Sequence, residues 1–163
     1  MKILLISDTH SITAKLKDEI LPKYANEVQM AIHLGDYAKD LLNLQCIYPN
    51  LQMAGVGGSF ESREKTEQIL QLGADAANKR ILIMHGHTHG VKSDMNRIMY
   101  YAQEKGVDAC FFGHTHEIFE HTKNGIFFMN PGSVTHPRSA LKGSIGLVSV
   151  SPKGEFSGEV IFV

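Results

Sequence analysis

The 163-residue chain is poor in cysteine, in net charge and in long hydrophobic runs, and each shortage excludes a class of protein. Cys46 and Cys110 lie far apart and outside any CxxC pair, so no disulfide framework is expected. The formal net charge of −1 gives neither the basic field of a nucleic-acid-binding protein nor an acidic tail. No window approaches the ~18 apolar residues of a membrane span, and the N-terminal apolar run is shorter than the about 7–15 residues of a signal peptide. We therefore expect a cytoplasmic protein that recognises neither nucleic acid nor membrane.

Histidine, in contrast, is unusually frequent. The chain has nine histidines, and five of them fall in two tight clusters, at 85–89 and at 114–116. Because cysteine is scarce, a metal site in this chain would have to be built from imidazole and carboxylate groups. The length fits one domain spanning 1–163, and hydrophobic (43%) and charged (20%) residues occur at the frequencies of an ordinary globular protein.

Four apolar runs predict buried strands, and each run leads directly to a segment that contains Asp or His. The runs are Ile3–Ile6, Val28–Leu34, Arg80–Met84 and Val107–Phe112. A further strand is predicted over Leu51–Val56, before Gly57-Gly58. Two hairpins are predicted nearer the C-terminus, one with Lys123-Asn124-Gly125 as its turn and one with its turn at 151–154.

Apolar residues at helical spacing predict helices between the first strands. The predicted segments are 12–20, 40–44, 95–102 and, where the periodicity is weak, Glu61–Leu72. Ser93 is the expected N-cap of the third helix, and Gly106 is its expected C-cap. Strands thus alternate with helices in the first part of the chain, and the last part is rich in strands. This order predicts a domain with both parallel and antiparallel strands.

Six candidate metal ligands follow four of the predicted strands. They are Asp8 and His10, Asp36, His85, and His114 with His116. Because ligands of open α/β sheets bind at the carboxyl ends of strands, these side chains are expected at one common edge. Asp and His suit Mn²⁺, Fe, Zn²⁺ or Ni²⁺, and six ligands are too many for one tetrahedral zinc. A carboxylate such as Asp36 can bridge two ions that lie ~3.5–4 Å apart, an arrangement used in phosphoryl chemistry.

The motifs that carry these residues resemble, as an ordered set, those of the calcineurin-like metallophosphoesterases. The motifs are Asp8-x-His10, Gly35-Asp36, His85-Gly86-His87 and Gly113-His114-Thr115-His116. Within that superfamily, the chain is similar over nearly its whole length to the small YfcE-type phosphodiesterases. The resemblance implies an α/β (α+β) fold, a four-layer αββα sandwich of two mixed β-sheets flanked by helices.

The resemblance also implies how the ligands divide between two divalent ions. One ion would bind Asp8, His10, Asp36 and His116, and the other would bind Asp36, His85, His114 and an asparagine. The chain departs from the family pattern at that asparagine, because alignment on Gly58 puts Ser59 in its place. A serine hydroxyl is shorter than an amide side chain and a poorer ligand, so we expect the second ion to bind more weakly. Mn²⁺ is the expected metal, with Ni²⁺, Fe, Zn²⁺ and Mg²⁺ as alternatives.

The activity implied by the resemblance is hydrolysis of a small phosphodiester by in-line attack of a water that the two ions activate. Larger members of the superfamily have a histidine where this chain has Phe60, and phenylalanine cannot protonate a leaving group. A site without a dedicated acid favours leaving groups of low pKa. His87 is the candidate substitute, because it lies two residues from His85.

Two other interpretations are compatible with part of the pattern. The same fold occurs in a retromer-type scaffold subunit with an impaired metal site, and Ser59 favours that alternative, while the six retained ligands favour the enzyme. The His85-Gly86-His87-Thr88-His89 segment is also similar to the HxHxDH motif of metallo-β-lactamase-type hydrolases, but the motif's aspartate position is His89 here. A homo-oligomer could form through exposed strands of the terminal hairpins.

Overall fold

The computed structural model describes residues 1–61, 63–138 and 140–163, and within these ranges the chain forms two mixed five-stranded sheets. In chain order the strands are β1 (Lys2–Ile6), β2 (Met30–His33), β3 (Gln52–Gly55), β4 (Glu67–Gln71), β5 (Arg80–Met84), β6 (Ala109–Phe112), β7 (Ile118–Lys123), β8 (Ile126–Pro131), β9 (Ser144–Val150) and β10 (Phe156–Phe162). The first sheet has the order β10-β9-β1-β2-β3 and the second has the order β4-β5-β6-β8-β7. In the first sheet β1, β2 and β3 run parallel, and β9 pairs antiparallel with both β1 and β10. In the second sheet β5, β6 and β8 run parallel, and the edge strands β4 and β7 pair antiparallel with β5 and β8, respectively.

Short helices cover the outer faces of the sheets. They are α1 (Thr13–Lys15), which continues through a π-helical turn (Leu16–Ile20) into α2 (Leu21–Tyr24), then α3 (Lys39–Leu42) and α4 (Met95–Lys105). Two 3₁₀ turns, Ala74–Ala76 and His87–His89, complete the helical segments of the described ranges. The N-cap of α4 is Asp94, whose carboxylate accepts from the Asn96 N–H at 2.9 Å, so the prediction of Ser93 was one residue early. No helix in these ranges is long and apolar enough to cross a membrane.

The alternation of side chains along each strand explains the stacking of the layers. In β1, Ile3 and Leu5 face the second sheet, whereas Leu4 and Ile6 face the helices on the other side. Phe111 of the second sheet lies in the same central core as Ile3, and the outer face of that sheet packs against α4. The structure therefore confirms the four-layer αββα sandwich that the sequence predicts.

The carboxyl ends of the central strands meet at one edge of the sandwich, where backbone hydrogen bonds join their loops. The Asp8 N–H donates to the Gly35 carbonyl at 3.1 Å and joins the loops after β1 and β2. The Gly113 N–H donates to the His85 carbonyl at 3.2 Å and joins the loops after β5 and β6. His85 also connects the two sheets, because its Nδ1 lies 2.8 Å from the carbonyl oxygen of Leu34.

The helix predicted over Glu61–Leu72 is wrong, because this segment contains the edge strand β4. Its residues pair antiparallel with β5, with Glu67 opposite Met84 and Gln71 opposite Arg80. The residues of this edge strand are exposed or only partly buried, and its two apolar residues, Ile69 and Leu70, are adjacent, so the sequence shows no period of two. Pairing with β5 therefore outweighs the weak local helical spacing.

The central core generates the first prediction. The side chain of Phe111 is fully buried between the sheets. Replacing it by alanine removes apolar contacts and leaves a cavity, so we expect Phe111→Ala to lower the free energy of unfolding by about 3–5 kcal/mol. Phe162→Ala is the matched control, because Phe162 is 54% exposed on β10 and should cost far less. Urea titration of both variants measures the difference, and equal costs would contradict this account of the core.

Candidate metal centre

The candidate ligands share an uncommon backbone conformation at the strand ends. Five of them have positive φ, namely Asp8 (55°), His10 (47°), Asp36 (53°), His114 (67°) and His116 (59°). The left-handed region costs a residue with a side chain roughly 1–2 kcal/mol, and such residues concentrate at active sites and ligand clamps. The conformation turns each side chain inward as soon as its strand has ended, so loops from both sheets converge on one small volume.

The first ligand group is the one that the sequence predicts for the first ion. Asp8, His10, Asp36 and His116 each offer one ligand atom, and these four atoms all lie within 4.8 Å of one another. The His116 Nε2 lies 3.0 Å from the Asp8 Oδ1, and the His10 Nε2 lies 4.0 Å from the Asp36 Oδ2. Both carboxylates are buried, whereas both imidazoles are partly exposed, so the group is open on its imidazole side.

The geometry of the Asp8–His116 pair suits a cation bound between the two side chains. The His116 Nδ1 lies 2.8 Å from the carbonyl oxygen of His136, so Nδ1 carries the donating hydrogen and Nε2 has a free lone pair in neutral imidazole. That lone pair faces the Asp8 Oδ1, a buried oxygen for which no other described residue supplies a hydrogen bond. Ligand atoms about 2.1 Å from one ion at right angles lie roughly 3 Å apart, close to this separation. A divalent ion therefore suits the pair.

The pKa values of Asp8 and His116 shift in the directions that their pairing predicts. Burial disfavours the ionised form of Asp8, but the hydrogen bond with His116 and the charge of His85 outweigh it and lower the pKa of the carboxyl group. The hydrogen bond with Asp8 raises the pKa of His116, although burial of the ring acts against it. Negative charge at Asp8 thus favours positive charge beside it.

The second group gathers around the other oxygen of Asp36. The Asp36 Oδ1 lies 3.4 Å from the His85 Nε2, while the Asp36 Oδ2 faces His10 in the first group. The Ser59 Oγ lies 3.4 Å from both the His85 Nε2 and the His114 Nδ1. One carboxylate therefore faces both groups, which is the arrangement of a bridging ligand. The geometry brings together all seven predicted metal ligands, and their assignment as ligands stays a prediction.

Two glycines allow this close approach. A Cβ on Gly58 would overlap the backbone nitrogen and the carboxylate of Asp36. A Cβ on Gly113 would overlap the hydroxyl of Ser7, which donates a hydrogen bond to Asp8. Both positions therefore exclude a side chain, which explains why the motifs Gly57-Gly58 and Gly113-His114 have glycine at positions 58 and 113.

His87, the predicted catalytic residue, lies beside the second group. Its ring centroid is 5.2 Å from that of His85 and 6.0 Å from that of His114. Burial and then the charge of His85 lower the pKa of His87, and its buried Nδ1 has no partner among the described residues. Phe60 is 69% exposed at the mouth, with its ring 6.2 Å from that of His10. His87 is therefore placed directly beside the second group.

Two other histidines have contacts that the sequence does not predict. The His89 Nε2 lies 3.2 Å from the Glu67 carboxylate, and the His89 ring packs on Tyr101 with 4.6 Å between the ring centroids. His136 supports the first group in two ways, because its carbonyl accepts from His116 and its ring lies 4.8 Å from that of His10. No spacing in the sequence indicates either contact, since both partners are distant along the chain.

A buried hydrogen-bond network behind the first group was also missed. The Thr9 hydroxyl donates to the Asp40 Oδ2 at 2.6 Å and lies 3.0 Å from the His33 Nε2, and the Thr13 hydroxyl donates to the Asp40 Oδ1 at 2.6 Å. The Gly35 N–H donates to the His33 Nδ1 at 3.3 Å, which makes Nε2 the protonated nitrogen of this ring. Because Thr9 lies between Asp8 and His10, the network restrains the loop that carries both ligands.

Comparisons with known proteins identify relatives of this chain. A family model for the calcineurin-like phosphoesterase superfamily domain matches residues 1–153. The probable metallophosphoesterase YsnB of Bacillus subtilis is 35% identical over 141 residues, which are 85% of this chain and 78% of that protein.

Solved structures share the fold. A Streptococcus pneumoniae protein described as a predicted phosphoesterase superposes with a TM-score of 0.81 at 23% identity, over 99% of this chain and 88% of its own. An archaeal phosphodiesterase has a TM-score of 0.70 at 19% identity, over 99% of this chain and 100% of its own. Vps29 of Entamoeba histolytica, in a complex with zinc, has a TM-score of 0.70 at 20% identity, over 99% of both chains.

The buried imidazole of His33 generates a prediction about pH. Burial lowers the pKa of His33 from 6.5 to about 4. Between these values the unfolded chain binds more protons than the folded protein, so the free energy of unfolding falls as the pH falls from 6.5 towards 4. One such group contributes at most about 1.4 kcal/mol per pH unit. We expect His33→Gln to unfold with a smaller pH dependence than the unaltered protein, in urea titrations at pH 7 and pH 5 with a chelator present. An unchanged slope would contradict the neutral state of His33.

Ser59 generates a prediction about metal affinity. An asparagine at this position would bring an amide oxygen towards His85 and His114, so we expect Ser59→Asn to bind Mn²⁺ at the second group at least roughly tenfold more tightly, about 1.4 kcal/mol. Calorimetric titration of the metal-free protein resolves the two affinities. Ser93→Asn, a change of the same residue type near α4, should leave both affinities unaltered. Equal second affinities in the Ser59→Asn variant and the parent protein would exclude Ser59 from the ligand set.

Proposed function

The chain belongs to the calcineurin-like phosphoesterase superfamily, and from that premise we propose that it is a metal-dependent phosphodiesterase. The observation that carries the proposal is the Asp36 carboxylate, which faces His10 with one oxygen and His85 with the other. A site that only needed one structural ion would not require a second imidazole group beyond this carboxylate. Two adjacent groups suit a reaction in which two ions contact one phosphoryl centre.

The preference for a diester follows from the charge of the site. In the described ranges the side chains in contact with the two groups are imidazoles, carboxylates, the Ser7 and Ser59 hydroxyls and the Tyr37 ring, with Phe60 at the mouth. A phosphodiester carries one negative charge and a monoester carries up to two, so a site without a bidentate arginine against the phosphate suits the diester better. The exposed Phe60 ring also offers an apolar surface to an ester substituent.

Two divalent ions in these groups would neutralise phosphoryl oxygens and lower the pKa of a water towards neutrality. The residues of the chain supply the rest. The Leu34 and His136 carbonyls hold the His85 and His116 rings with their Nε2 atoms turned to the ligand groups. The His87 ring lies beside the rings of His85 and His114, and in this proposal its Nε2 exchanges a hydrogen bond with a phosphoryl or leaving-group oxygen. Mn²⁺ as the native ion and the cytoplasm as the location are parts of this proposal.

The second candidate function is a scaffold or regulatory binding protein. Ser59 in place of an amide ligand favours it, because a weak second site would impair turnover, and the fold is that of Vps29 from Entamoeba histolytica. The retained first group and the strained backbone at five ligand positions favour the enzyme.

Hydrolysis of bis-p-nitrophenyl phosphate separates the two candidates. We expect turnover in the presence of Mn²⁺, loss of turnover with a chelator, and at least a roughly 10²-fold lower kcat in Asp36→Asn, about 2.7 kcal/mol. The control is Asp18→Asn, which makes the same chemical change on an exposed helical turn. If the folded, Mn²⁺-loaded protein hydrolyses nothing, the scaffold is the better account.

A further inference from the structure

A cleft of about 310 Å³ lies next to the His114–His116 segment, on the side of α4. Its walls come from the loop that precedes α4, from the segment 115–119 and from Arg138. The ligand groups use His114 and His116, while the buried Thr115 between them lines the cleft. Cavities that bind small molecules start at about this volume, which suits one ring-sized substituent rather than a whole large ligand.

The floor of the cleft is apolar and well packed. Val91 and Phe112 are buried there, and the Phe112 ring lies 5.8 Å from the ring of Phe119. Met95 adds a flexible apolar side chain at the start of α4. A flat apolar ring would bury surface against the half-buried side chains of Met95 and Phe119, and thioether and aromatic groups both pack well on such rings.

The rim of the cleft carries two cations and one acid. Lys92 and Arg138 are exposed side chains on this rim, and Glu117 is the acidic residue among the lining side chains. The local excess of positive charge contrasts with the net charge of −1 for the whole chain. An anionic substituent on the ring would therefore be attracted to this rim, with Glu117 weakening the attraction.

The cleft adjoins the loop that carries two of the candidate ligands. Thr115, which lines the cleft, lies between His114 and His116 in the chain. The backbone N–H of Arg138 donates to the His116 carbonyl at 3.0 Å, which fixes the start of the Arg138 side chain beside that loop. A phosphodiester bound at the ligand groups therefore has this cleft next to it.

We propose that this cleft binds one ester substituent of the phosphodiester and selects a flat apolar ring that carries an anionic group. Lys92 and Arg138 are the residues that determine this specificity, and the half-buried side chains of Met95 and Phe119 form the surface on which the ring lies. The proposal rests on the proposed phosphodiesterase function and adds the chemical class of the substrate.

Two synthetic diesters of 4-nitrophenol test the proposal. One carries a 4-carboxyphenyl group as its second ester and the other carries 4-carbamoylphenyl, so they have nearly the same shape and the same coloured leaving group but differ in charge. We expect kcat/KM to be roughly tenfold higher for the carboxylate, as for one charge-assisted contact. Lys92→Met and Arg138→Met should each lower this ratio, and the double variant should bring it to about one.

Two further variants sharpen the test. Glu117→Gln removes the acid from the rim, so the ratio should rise above that of the parent protein. Lys17→Met removes an exposed cation on the π-helical turn, far along the chain from the cleft, and should leave the ratio as it is. These opposite directions separate a local contact at the rim from a general effect of net charge.

Failure of the proposal and failure of the phosphodiesterase function give different results. Equal kcat/KM values for the two diesters, or a ratio that survives the double variant, would overturn the cleft proposal while hydrolysis itself stands. Absence of turnover on both diesters and on bis-p-nitrophenyl phosphate would overturn both proposals together.

Discussion

The rest of the site depends on two buried carboxylates, Asp8 and Asp36, whose negative charges require positively charged or hydrogen-bonding partners. Neither has a lysine or arginine side chain against it among the described contacts, so the partners that the structure supplies are imidazoles, backbone N–H groups and the Ser7 hydroxyl. Unpaired buried charge is costly, and partially protonated imidazoles compensate it incompletely. A divalent cation would compensate it fully. The site is therefore organised around positive charge that must come from outside the chain, which explains why so many loops converge on these two side chains.

The fold was largely predictable because its most buried strands are continuous apolar runs. β1, β2, β5 and β6 each end where an Asp or a His follows, and the rule that parallel strands gather their carboxyl ends at one edge brings those residues together. The turn at Asn124-Gly125 was equally legible, because both residues adopt the positive φ that a tight hairpin turn requires. In these strands and in this turn, the local sequence pattern and the tertiary packing favour the same structure.

Prediction failed where the tertiary partner decides the structure. β4 forms because β5 offers it a neighbour, and nothing within Glu67–Gln71 itself indicates that neighbour. Asp40 has the appearance of an ordinary polar residue in the first turn of a helix, yet its carboxylate is buried against Thr9 and Thr13. The role proposed for Lys92 depends on the fold, which places Lys92 and Arg138 at the same cleft. Contacts between residues so far apart leave no periodic trace in a single sequence.

The backbone strain also supports the binding of metal. Five ligand positions with positive φ cost roughly 1 kcal/mol or more each, which is a large share of the about 5–15 kcal/mol by which a domain is usually stable. Binding of metal to the folded state returns that free energy by mass action, because the unfolded chain cannot bring these side chains together. A chain that bound no metal would carry the strain and the buried carboxylates without compensation. The conformation of Asp8, His10, Asp36, His114 and His116 is therefore best explained by a site that binds a divalent metal.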